Sequence, residues 1–252
     1  EMLQPDVAAG YLVEQFAAER ASIVELQRGI FVHNAFPMPH KPMAIRGAID
    51  ALAVFVHKDN PIKCLTLQQV DAIFSKTRKG GTDKEAANWG QLGLGGAFAD
   101  KPISLYGRNS ASGTYGYFKE VALFNGDFKD SVKEQPGSST VVQGVASDKF
   151  AIGYSGIGYK TADVRTVPLA AKAGAPCYDA TEEATYSGDY PLARFLYIYL
   201  NVSPNQKIDP LRGEFIKFIY SREGQAATVK DGYFPITALI AGQDLKELGL
   251  VN

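Results

Sequence analysis

Apolar positions along this chain recur with two different periods, and the way those periods alternate predicts an α/β protein. The first stretch has helical spacing near Ala8–Leu26 and leads into the apolar run Gly29-Ile30-Phe31-Val32. Pro37-Met38-Pro39-His40-Lys41-Pro42 follows, and its prolines forbid regular structure. Ala48–Val56 is continuously apolar, a pattern that suits a parallel strand covered on both faces, and Asn60-Pro61 ends it. Thr66-Leu67-Gln68-Gln69 reads as a capping box, with Thr66 as N-cap and Gln69 at N3. The helix it opens has Leu67, Val70, Ile73 and Phe74 three and four apart, as one buried face requires.

Lys76–Gly96 is rich in Gly and Lys and reads as a loop around Trp89. Ile103–Tyr106 is a short strand, and a helix from Thr114 buries Phe118, Val121 and Ala122. Ser138-Ser139 caps a further helix through Val141, Val142 and Val145. Phe150–Tyr154, Val164–Leu169 and Ala193–Asn201 read as strands. Asp209-Pro210 then opens a helix whose apolar face is Leu211, Phe215, Phe218 and Ile219.

Composition narrows the class. The 252 residues suffice for one large domain or two lobes, and 46% hydrophobic with 21% charged residues is ordinary for a globular protein. A net charge of −1 offers no global field for nucleic acid or an anionic membrane, so a bound anion must be attracted by local groups. No apolar run approaches the roughly 20 residues of a spanning helix, which argues against direct membrane insertion. The opening Glu1-Met2-Leu3-Gln4-Pro5-Asp6 lacks signal-peptide features, and the chain reads as mature or trimmed, leaving export open. Cys64 and Cys177 lie in no Cys-x-x-Cys motif, and the sequence leaves both a free pair and a single disulfide open. His33, His40 and His57 are scattered, so neither a metal nor another cofactor is expected.

The chemistry gathers at Arg108-Asn109-Ser110-Ala111-Ser112-Gly113-Thr114, which runs from a strand through a turn into a helix. The first N–H groups of a helix lack internal partners and carry partial positive charge, so an oxyanion suits them. Gly113 lets the main chain approach closely, Ser110, Ser112 and Thr114 offer hydroxyls, and Arg108 adds a planar charged fork. The plainer alternative is that Ser112 merely caps the helix and Arg108 forms a surface ion pair. Two catalytic motifs fail here. No lysine follows Gly113, as a nucleotide phosphate loop needs, and Ser110 occupies the first glycine position of a Gly-x-Ser-x-Gly elbow.

With these residues in place, Gly107–Thr114 resembles the second phosphate loop of the periplasmic phosphate-binding proteins that serve high-affinity ABC transporters. The likeness extends to Asp50–Val56 with Leu65–Phe74, to Ala151–Tyr159, to Pro191–Tyr199, and to Gly224-Gln225 with Gly232-Tyr233-Phe234-Pro235. The resemblance implies a two-lobed type 2 periplasmic binding protein fold with two crossover strands, hinged near Val56 and Leu192. Residues 1–56 plus 193–252 would form the first lobe and residues 57–192 the second. It further implies non-enzymatic binding of inorganic phosphate or a similar oxyanion by Arg108, Ser110, Ser112, Gly113 and Thr114. Delivery to an ABC permease and a periplasmic or secreted location would follow.

The first phosphate loop of that family and its Asp-bearing segment have no counterpart before Arg46, where the nearest stretch is Phe31–Met38. Ser110 stands where many relatives have Asp. Either the first lobe is abbreviated or the chain is a fragment. A surface protein that has lost its ligand, and a weak phosphohydrolase using Ser112, are the rival functions.

Overall fold

The computed structural model describes residues 43–201 and 207–251. The helix expected at Ala8–Leu26, the run at Gly29–Val32 and the proline-rich stretch up to Pro42 lie outside them.

The organising element is β1, Met43–His57, a strand of 15 residues. From Met43 to Ala51 it pairs with β8 (Ala193–Leu200), and from Leu52 to Val56 with β5 (Ala151–Gly156). β6 (Val164–Thr166) lies on its other side, against Phe55–His57. Leu52, Ala53, Val54, Phe55 and Val56 are wholly buried, as a continuous apolar run demands. The expected parallel direction is wrong: β1 runs antiparallel to β5, β6 and β8. Such a run encodes cover on both faces, and says nothing of strand direction.

The parallel part of the sheet is elsewhere. β3 (Ser104–Arg108) pairs in parallel with β5 and with β4 (Lys133–Gln135). Each of β3 and β4 leads into a helix, α2 (Gly113–Val121) and α3 (Ser138–Ser147) respectively. α1 (Leu67–Phe74) begins with the expected capping box, Thr66 Oγ1 accepting from Gln69 N at 3.1 Å and Gln69 Oε1 from Thr66 N at 2.9 Å. Its predicted apolar face is buried. The expected strand Val164–Leu169 is divided at Pro168. After that proline, β7 (Leu169–Ala170) leaves β1 and pairs with β2 (Leu65–Thr66). A disulfide, Cys64–Cys177, fastens this small ribbon, closing a separation of 113 residues.

Two apolar clusters share β1. The larger holds Phe55, Phe74, Trp89, Phe118 and Tyr154, with Phe118 and Tyr154 stacked at 3.7 Å between ring centroids. The smaller is built on Ile49, Ile236 and Ala241, the last from α7; α4 to α7 are Glu182–Tyr186, Pro210–Ile219, Arg222–Lys230 and Ala238–Glu247 in chain order, and α4 packs instead on the larger cluster through Ala184. α5 starts as expected, with Asp209 as N-cap and Pro210 first in the helix. Its expected apolar face is not buried. Leu211, Phe215 and Phe218 are 81%, 44% and 53% exposed, while Gly213 and Ile216 face inward. Gly213 packs against Leu250, whose side chain would stand 3.1 Å from a Cβ placed there.

Candidate functional site

The end of β3 passes over the ring of Tyr154. A Cβ on buried Gly107 would meet that ring at 2.8 Å, so only glycine lets the strand deliver Arg108 at this height. The chain then turns through 109–112 and enters α2, one residue before the expected start. Ser112 is the N-cap, its Oγ accepting from Thr114 N at 3.1 Å. The capping reading of Ser112 is therefore correct, and it leaves the N–H groups of Gly113 and Tyr115 without partners among the described residues. Gly113 is exposed and Thr114 half-buried in this first turn, and Ser110 lies exposed at the tip of the preceding turn.

Arg108 forms no ion pair among the described residues. Its Nη1 donates to Ser138 Oγ at 2.7 Å and its Nη2 to the Pro136 carbonyl at 3.2 Å, while the buried Nε has no partner. The guanidinium thus lies against the start of α3, and a cation held by neutral acceptors keeps its charge available. Register explains the meeting: Arg108 and Gln135 end β3 and β4 side by side, so α2 and α3 open at the same edge of the sheet. Two sets of orphan N–H groups and one arginine converge there.

Sequence reasoning missed the α3 half of this arrangement. Ser138-Ser139 was expected to cap α3, but the N-cap is Gly137, whose N–H donates to Thr140 Oγ1 at 3.3 Å. Ser138 can serve Arg108 because it is not needed as the cap. A strand followed by Gly137-Ser138-Ser139-Thr140 is the same signal that marked the first loop.

A second missed group approaches α2 from β1 and β8. Asp50 of β1 and Arg194 of β8 are cross-strand partners, with Nη2 and Nε at 3.2 and 3.3 Å from the same carboxylate oxygen. Burial holds the Asp50 carboxyl above its ordinary value, with Arg194 pulling the other way. Arg194 also lies over the Tyr117 ring at 4.5 Å, and Nη1 is 3.4 Å from the Gly113 carbonyl. Tyr117 donates its hydroxyl to the Ala193 carbonyl at 2.8 Å, and burial pushes its pKa up to about 12.

Among the described residues, no cluster of His, Cys, Asp or Glu could hold a metal ion. Nor is any helix among them long and apolar enough to cross a membrane.

Comparison with known proteins places this arrangement in context. A family model described as a PBP superfamily domain matches residues 8–223. The chain is 57% identical over 211 residues to the phosphate-binding protein PstS of Pseudomonas aeruginosa, covering 84% of this chain and 65% of that one. It thus spans just under two thirds of that relative's length. The structure is similar to a possible phosphate binding protein from Planctomyces limnophilus, with TM-score 0.66, 25% identity, and coverage of 93% and 78% of the two chains. An ABC-type phosphate transport receptor from Vibrio cholerae shares the fold, with TM-score 0.63 at 23% identity over 92% and 94% of the chains.

Proposed function

We propose that this chain, which belongs to the PBP superfamily and has its two-lobed type 2 fold, is a non-enzymatic receptor for inorganic phosphate or a similar oxyanion. The observation that carries this reading is the convergence of the α2 and α3 N-termini on Arg108, a cation with no carboxylate partner among the described residues. Arg108, Ser110, Ser112, Gly113 and Thr114 form the donor side of the site. The similarity to a phosphate-binding protein at 57% identity supports phosphate as the ligand. The same similarity supports delivery to an ABC permease.

The lobe division at 1–56 plus 193–252 and 57–192 is supported by two features. β1 changes partner from β8 to β5 between Ala51 and Leu52, and the Leu52 N–H bonds the Leu192 carbonyl just before β8 begins. A location outside the cytoplasm, periplasmic or secreted, is supported by the Cys64–Cys177 disulfide, which persists in oxidising compartments.

Calorimetric titration of the chain with inorganic phosphate and with sulfate tests the reading. Truncating one member of a desolvated charge contact costs about 2–5 kcal/mol, so Arg108→Ala should weaken binding at least about 30-fold. An unchanged affinity in Arg108→Ala would remove this loop from the site, and no binding of either anion to the unaltered chain would reject the receptor role.

A further inference from the structure

We infer that Arg194 is a second cation of the anion site, and that Asp50 sets how much of its charge an anion at α2 feels. The inference rests on the proposed anion site and goes beyond the residues of the loop. Arg108 flanks the first turn of α2 from the side of α3. Arg194 flanks the same turn from the crossover strands, 144 residues away in sequence from its carboxylate partner. Its Nη1 is 3.4 Å from the Gly113 carbonyl, and its Nη2 is 3.9 Å from the point where a Cβ on Gly113 would stand. No side chain therefore separates this guanidinium from the start of the helix.

The placement is over-determined. Three elements fix the guanidinium: Asp50 on β1, the Tyr117 ring on α2, and the Gly113 carbonyl at the head of that helix. Tyr117 in turn is tied to β8 through the Ala193 carbonyl. The pair sits one residue before β1 exchanges β8 for β5, so the contact joins the anion loop to the point where the chain crosses between the two bodies. Among the described residues, Arg194 is the charged group bonded to Asp50, and the phenols of Tyr117 and Tyr233 lie near enough to feel the carboxylate.

The two cations differ in their compensation. Arg108 meets a hydroxyl and a carbonyl, and its full charge faces the site. Arg194 meets a buried carboxylate, so most of its charge is cancelled. Removing Arg194 leaves that carboxylate alone behind the helix, where it repels an anion. Removing the Asp50 charge leaves Arg194 held by the ring and the carbonyl, with its attraction unmasked.

A double-mutant cycle read by titration with inorganic phosphate at pH 7.5 tests this, with melting temperature recorded for every variant. Arg194→Met should weaken binding about tenfold or more, and Asp50→Asn should tighten it. Adding Asp50→Asn to Arg194→Met should recover at least about threefold of the loss. Arg194→Lys, which keeps the charge, should stay within about fivefold of the unaltered chain and serves as the comparison if the methionine variant does not fold. Both single variants losing affinity alike, with the double variant no better, would make the pair purely structural and overturn the inference. Loss of binding in Arg108→Ala with none in Arg194→Met would overturn it while leaving the proposed receptor role intact. Failure of the unaltered chain to bind phosphate would reject the receptor role, and this inference with it.

Discussion

The two bodies that share β1 are held together by different means. The larger surrounds the half of β1 from Leu52 to Val56 with aromatic and aliphatic side chains, and adds a covalent staple at Cys64–Cys177. Among the described residues, the smaller has Ile49, Ile236 and Ala241 buried in its cluster, and is organised around a carboxylate. Asp244 is 4% exposed and accepts from the Arg46 backbone N–H at 2.8 Å, from Arg46 Nε at 3.1 Å and from the Tyr220 hydroxyl at 2.7 Å. One body is secured by excluded water, the other by directed bonds. The proposed anion loop lies beside the first cluster, whose Phe118 is on α2, and Arg194 comes from β8, next to the second.

The comparison breaks most visibly at the staple. Closing a loop of 113 residues restricts the unfolded chain, and the chain-entropy account gives about 5 kcal/mol for loops of this size. Replacing both cysteines by serine should lower the stability of the larger body by that order, measured by urea unfolding. Denatured protein kept from reductant should show no free thiol. A loss below about 1 kcal/mol would mean that packing alone secures this body.

Packing itself is probed by two matched truncations. Ile73 of α1 is wholly buried, and Ile73→Ala should cost about 2–5 kcal/mol. Leu211 of α5 is 81% exposed, and Leu211→Ala should change stability by less than about 0.5 kcal/mol. Equal costs at the two sites would show that α5 has a covering partner in solution and that the contrast between the bodies is smaller than it looks.

These two helices also mark how far the sequence could be read. Both show apolar residues three and four apart, and the pattern correctly makes each a helix. In α1 the stripe also names the buried face, because a capping box fixes its start and a large core waits beneath it. In α5 the stripe does not name the buried face: Gly213, packed against Leu250, and Ile216 are the residues that are buried. Local chemistry was legible at three helix starts, where Thr66, Ser112 and Asp209 cap the helices their side chains suggested, but not at α3, which is capped by Gly137 rather than by Ser138-Ser139. Contacts across long separations were not. Nothing within a window around Arg108 points to Ser138, 30 residues on, and nothing near Asp50 points to Arg194. Those pairs are set by strand register, which a single sequence does not display.

The directed bonds of the smaller body give the next effect. Asp244→Asn keeps the shape but removes the charge on which four donors converge, the backbone N–H, Nε and Nη2 of Arg46 and the Tyr220 hydroxyl. With Arg46 partly exposed and able to recruit water, the expected loss is about 2–3 kcal/mol rather than the larger cost of a fully buried pair. Urea unfolding followed by the fluorescence of Trp89, which lies in the larger body, and by far-ultraviolet dichroism should then separate into two transitions. A single coincident transition at the original midpoint would show that Asp244 contributes little.

The smallest effect distinguishes two buried carboxylates, Asp50 and Asp244, through the sign of their pH dependence. Burial raises the Asp50 carboxyl above its ordinary value, and Arg194 only partly offsets this. Burial also acts on Asp244, but the bonds from Arg46 and Tyr220 outweigh it and hold that group below its ordinary value. Stability rises with pH wherever the unfolded chain binds more protons than the folded one. For Asp244 that condition holds as pH climbs from its lowered value to the ordinary carboxylate value of about 3.9. Its contribution is therefore complete above that range and lost as the solution is acidified through it. For Asp50 the inequality is reversed: between the ordinary value and its raised one, the folded chain holds the extra proton. Its ionisation costs stability as pH rises through that window, and acidification restores it. Subtracting the stability–pH curve of Asp50→Asn from that of the unaltered chain should thus leave a curve falling with pH above about 4. The same subtraction with Asp244→Asn should leave one rising with pH below about 4. Two difference curves of the same sign would mean that Arg194 stabilises the Asp50 charge as fully as Arg46 stabilises that of Asp244, and Asp50 would then have no pH response of its own to lend to the anion site.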